Sequence, residues 1–115
     1  MSEWEYRMAT LATQVAPHTG LAVAFSAATS GGDKCATGSG LVLLVKNGDS
    51  GSHTVTLATP ETVDALAVDD RPVSVAAGAQ QAIPVPDLYR DPSDGLAHIT
   101  YDAVTSVTVA ALRVP

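Results

Sequence analysis

Few side chains in this 115-residue chain are suited to chemistry: one thiol, Cys35, three imidazoles, His18, His53 and His98, and a scatter of aspartates at 69, 70, 87, 91 and 94. A cysteine nucleophile needs a lowered pKa and a base within reach. Cys35 sits in GGDKCATG beside Lys34, whose charge favours the thiolate, and His53 or His98 is the available base. No nucleophile signature surrounds it, so the plain reading is a chance cysteine in a loop. The histidines form no His-x-x-x-His pair that would put two metal ligands on one element. His98, between Ala97 and Ile99, reads as a solvated strand residue, and His53 as the residue that opens a strand.

The aspartates offer oxygen ligands for calcium, but their spacing is not that of an EF-hand loop. RDPSDG (90–95) reads instead as a tight turn in which Asp side chains cap backbone amides. The GSG at 38–40 leads into a strand and lacks the helix N-terminus a phosphate cradle requires. These residues predict no catalytic set, no metal and no cofactor.

The elements that carry these residues are β-strands. After Gly20 the chain breaks into LAVAFSA, LVLLVKN, HTVTLAT, RPVSVAA, QAIPV, AHITYD and TSVTVAALRV, seven runs rich in Val, Ile, Leu and Thr divided by Gly, Pro, Asp or Ser. Several alternate apolar with polar, as strands with one face on a core do. Residues 41–45 do not alternate, which predicts a central strand whose outer face lies under the arm or a partner. Asn47-Gly48 and Asp49-Ser50-Gly51-Ser52 tolerate positive φ and predict a hairpin pairing residues 41–45 with 54–58. Residues 31–40 read as an exposed loop, and Pro72, Pro84 and Pro86 predict strands at a sheet edge. The simplest packing is an all-β, antiparallel β-sandwich, immunoglobulin-like or jelly-roll-like, with a closed barrel as the alternative.

Residues 1–19 form an N-terminal arm and residues 20–115 the sandwich domain. In the arm, Trp4, Met8, Leu11 and Val15 fit a helical stripe, while Trp4, Tyr6 and Met8 alternate as in a strand; periodicity leaves both open. Composition bounds the rest. One domain is the default at 11.7 kDa. Twelve acidic against six basic residues give a formal charge of -6, which disfavours nucleic acid and anionic membranes. A lone cysteine closes no intrachain disulfide, so folding does not depend on an oxidising compartment. MSEWEYRM has two glutamates and no apolar signal region, and no run of about 18 apolar residues is present to span a membrane. The chain therefore reads as made in the cytoplasm.

Taken in order, TLATQVAPHTGLAVAFSAA followed by GGD, GLVLLVKNG, VTLATPETVDALAVDDRPVSVAAG and LYRDPSDGLAHITYDAVTSVTVAALRV cover nearly the full length, and together they resemble the small virion proteins of tailed bacteriophages. The resemblance implies a β-sandwich bound to the outer surface of a phage head. It would be a capsid decoration (cement) protein or minor head component whose partner is the major capsid protein, made in the host cytoplasm and located on the virion. The family supplies no motif of functional residues to carry over, and MSEWEYRM is the part that matches least. A homo-oligomer, trimer or dimer, suits a symmetric capsid site. The residues placed to meet a partner are Trp4, Tyr6, Met8 and Leu11 in the arm and Asn47 and Asp49 at the loop tip. Two other readings are a tail or head-to-tail joining protein and a carbohydrate or host-surface binding module. The second needs exposed aromatics, but Trp4, Tyr89 and Tyr101 are scattered. An enzyme is the third class, without a set of residues to support it.

Overall fold

A computed structural model describes residues 8–60, 62–63, 66–67 and 70–114. Thirteen short strands are present among them: β1 (Ala9–Thr10), β2 (Thr13–Val15), β3 (Ser26–Ala27), β4 (Asp33–Cys35), β5 (Leu41–Asn47), β6 (His53–Leu57), β7 (Thr62–Val63), β8 (Leu66–Ala67), β9 (Arg71–Val75), β10 (Gln80–Pro84), β11 (Arg90–Asp91), β12 (Leu96–Tyr101) and β13 (Val107–Arg113). One sheet runs β1-β4-β12-β6-β9, with β11 on β12; the other runs β10-β5-β13-β2, with β3 also on β13; β7 and β8 make a separate small ribbon. The two large sheets pack face to face as a β-sandwich. Eight of the strands pair antiparallel as β3 with β13, β4 with β12, β5 with β10 and β6 with β9. A long antiparallel ribbon with its midpoint between β6 and β9, rolled so that its strands alternate between two sheets, is a jelly roll.

The alternation in the sequence builds the core. Leu43, Val45, Val55, Leu57, Ile99 and Val109 have no exposed surface, and full burial of each such side chain is worth about 1.5–3 kcal/mol. Residues 41–45 are buried and half-buried by turns, with Lys46 exposed; β5 is central, between β10 and β13, with Val42 and Leu44 half-buried on its outer face.

Three expectations are corrected. First, β5 and β6 do not form a hairpin: β5 pairs with β10 and β13, while β6 pairs with β9 and β12 in the opposite sheet. Neither Asn47 nor Gly48 takes the positive φ that a two-residue hairpin turn requires, and residues 48–52 instead arch from one sheet to the other. Second, residues 33–35 are a strand and not an exposed loop, with Asp33 1% and Cys35 0% exposed. Third, the sheets are mixed. β1 runs parallel to β4 and β2 parallel to β13, so residues 9–15 cross from an edge of one sheet to an edge of the other. The helical alternative for the arm is excluded at these residues, and Leu11 packs between the two pairings against the core.

The proline reading holds: β9 and β10 are edge strands of opposite sheets. In β10 the residues bonded to β5 are odd-numbered, as the Val85 N–H to Leu41 and Asn47 N–H to Ala79 bonds show. Pro84 therefore falls where an N–H would point off the free edge. The same alternation puts Pro72 on the free side of β9, and the Gln81 side chain donates to the Ser74 carbonyl there (2.9 Å).

Candidate functional site

The polar residues with the most built surroundings gather at one end of the sandwich, where the β5–β6 arch meets the loop between β12 and β13. Asn47, the last residue of β5, is 1% exposed. Its Nδ2 donates to the carbonyls of Gly51 (2.9 Å), Val75 (3.0 Å) and Ala76 (3.3 Å), and its Oδ1 accepts the Asp49 N–H (2.9 Å). One amide thus shapes the arch and ties β5 to the end of β9 in the opposite sheet. A buried amide satisfied this way fixes geometry because any other arrangement leaves polar groups unpaired.

The arch delivers Asp49 to His53, the first residue of β6. His53 Nε2 lies 2.9 Å from Asp49 Oδ2, and its Nδ1 lies 3.1 Å from Asp102 Oδ1, just beyond β12. The imidazole is 8% exposed. Hydrogen bonds to Asp49 and then to Asp102 raise its pKa above the ordinary histidine value. The His53 hydrogen bond, followed by the Ser50 amide, lowers that of Asp49. At Asp102 burial pulls upward, but the bond from His53 and the amides of Thr54 and Ala103 outweigh it, and the net shift is down.

A second histidine cluster lies on the outer face of β12. His98 Nε2 is 2.9 Å from Asp94 Oδ2 and its Nδ1 is 3.7 Å from Asp91, while Lys34 Nζ also meets Asp94 at 2.9 Å. Bonds from Lys34, His98 and the Leu96 amide hold the Asp94 carboxyl far below the ordinary range. The Ser93 amide on Asp91 and the Leu96 amide on Asp94 make RDPSDG the Asp-capped turn its composition predicts.

Cys35 faces inward on β4, whereas His98 faces outward, on opposite sides of one sheet. Burial, reinforced by Asp33, pushes the Cys35 thiol up to about 12. An inaccessible, protonated thiol is not a nucleophile, and the ring nitrogens of His53 and His98 meet carboxylates and not the thiol. Beside Cys35, the Tyr101 hydroxyl donates to Asp33 Oδ2 (2.6 Å), and Asp33 Oδ1 is buried without a partner. Among the described residues no group of three or more His, Cys, Asp or Glu is placed to hold a metal ion, and no helix is long and apolar enough to cross a membrane.

Of the residues expected to meet a partner, Trp4 and Tyr6 lie outside the described residues. Met8 is half-buried near Gly32, Leu11 packs on the core, and Asp49 is half-buried on His53. Asn47 is 1% exposed, with its side chain turned inward. Sequence reasoning named His53 only as a base for Cys35 or a strand opener, and missed Asp102. The available signal was Asp-x-x-x-His in Asp49–His53, repeated in Asp94–His98; Asp102 is 49 residues from His53 and has no local signal. No protein-family model, curated protein or solved structure matches this chain.

Proposed function

We propose that this chain is a structural virion protein, a decoration (cement) protein that binds the outer surface of a tailed-phage head as a homo-oligomer and stabilises contacts between major capsid subunits. The sequence resemblance is the ground for naming the particle. The observation that carries the reading physically is the double-sheet jelly roll with both sides blunted against strand addition. On one side residues 9–15 cover the edges of β4 and β13, and on the other Pro72 and Pro84 remove amides from the free edges. A protein that must stay dispersed until it meets a capsid needs edges of this kind. Its -6 formal charge keeps it off nucleic acid. Repetition of one capsid site makes modest contacts through loops and faces effective once copies are linked.

The test is to mix the purified protein with undecorated heads and sediment them. Saturable co-sedimentation, with residues 1–7 removed as a comparison, supports the reading. Protein left in the supernatant at saturating concentration contradicts it. If the shortened chain binds as well as the full one, docking belongs to the sandwich and not to the segment holding Trp4 and Tyr6.

A further inference from the structure

We propose that the Asp49–His53–Asp102 cluster is a pH-sensitive latch: a doubly protonated His53 bonds the β5–β6 arch on one ring nitrogen and the β12–β13 loop on the other, and loss of its proton frees the β12–β13 loop. The geometry states the protonation. Both ring nitrogens, at 2.9 and 3.1 Å, face carboxylate oxygens. Carboxylates only accept, so both nitrogens must donate. A neutral imidazole would turn a lone pair on one of them.

The groups around the ring leave no substitute for its charge. Asp49 comes from the arch and Asp102 from the end of β12; the β9 neighbour in register is Val75, and β5 presents the neutral Asn47. Among the described residues neither aspartate has another cationic partner. His98 differs here, because Lys34 stays on Asp94 whatever the imidazole does.

Which side opens also follows. Asp49 is the closer partner and its side chain is 29% exposed, against 48% for Asp102. Upon deprotonation the remaining proton stays toward Asp49, and the Asp102 carboxylate loses its bond to the ring and keeps only the amides of Thr54 and Ala103. The loop it belongs to ends in Ser106, at φ 57, the one non-glycine residue with positive φ among those described. That conformation costs free energy and persists only while its surroundings impose it. The Gly48 N–H to Ser106 O bond (2.8 Å) continues the β5–β13 ladder and anchors the far side of the loop, and the Asp102 N–H to Thr54 O bond (3.0 Å) anchors the near side, so motion concentrates at residues 103–105.

The sign is fixed by the direction of the shift. His53 is raised, so the latch is complete below the unfolded histidine value of 6.5 and is lost as pH rises through the higher folded value. NMR of the full chain tests this, following the His53 ring and amide exchange of residues 102–106 against pH, with Asp102→Asn and His98→Gln alongside. Three results together are expected. His53 titrates above 6.5 and lower in Asp102→Asn. Exchange at 102–106, corrected for intrinsic rate, accelerates with the same midpoint. His98→Gln changes neither. A His53 midpoint at or below 6.5, or loop protection that does not follow it, overturns the proposal, and the wild-type titration alone decides if a variant fails to fold.

Discussion

The two Asp-x-x-x-His pairs have the same spacing and the same contact, Asp Oδ2 to His Nε2 at 2.9 Å, yet sit in opposite settings. Asp49–His53 closes the end of the core, with the His53 side chain 9% exposed, while the His98 side chain lies on an outer sheet face at 24%. Lys34 neutralises Asp94 independently of His98; among the described residues nothing does so for Asp49 and Asp102 except His53. A local motif therefore does not carry its consequence with it. Burial and the number of alternative partners decide whether titrating a histidine moves the structure or only its surface charge.

The comparison is broken most severely by removing the scaffold of the buried pair. Asn47→Ala strips donors from the carbonyls of Gly51, Val75 and Ala76 and releases the arch. Leaving such groups unpaired costs about 3 kcal/mol, readable in denaturant unfolding. A loss below about 0.5 kcal/mol, the range of an ordinary surface change, would mean that the amide does not hold this end. Next is Tyr101→Phe, which removes the hydroxyl on Asp33 Oδ2 and leaves that carboxylate with the Thr29 amide (3.2 Å). About 1–2 kcal/mol should be lost, and an unchanged midpoint would show that Asp33 is satisfied otherwise.

A smaller effect separates the histidines by pH. His53→Gln should flatten the decline in thermal midpoint as pH rises above 6.5, because the imidazole whose raised pKa makes it lose its proton there is gone. The aspartates act at the other end. Their pKa values are lowered, so their contribution is present above the ordinary 3.8 and disappears as pH falls through the folded values. Smallest of all is His98→Gln, which should leave both the midpoint and its alkaline slope in place; a slope lost there and kept in His53→Gln would invert the comparison.

Much of the sheet structure was legible. Six strands stand where the β-branched and apolar runs predict them, and of the seventh run, LAVAFSA, only Ser26–Ala27 is strand; where a run alternates, period-2 patterning reports directly which side chains face a core. The edge prolines were legible for an equally local reason. Pairing was not: Asn47-Gly48 looks like a hairpin turn, but its asparagine is consumed by carbonyls on β9, and β5 pairs with β13, more than sixty residues away in the chain. Strand β4 escaped notice because Asp33 is a polar residue at a core position, made tolerable by Tyr101 at a separation of 68 residues. For the same reason His53 read as a mere strand opener, its second carboxylate being 49 residues distant.

We propose that this sandwich is a repeated part of a virion exterior. Quantitative gel densitometry of purified particles tests it most directly, by the molar ratio of this chain to the major capsid protein. The account predicts a ratio near a simple fraction of the capsid subunits, hence a high copy number set by the head lattice. About six or twelve copies per particle, the numbers of a ring at a single vertex or tail, or no copies at all, would contradict it.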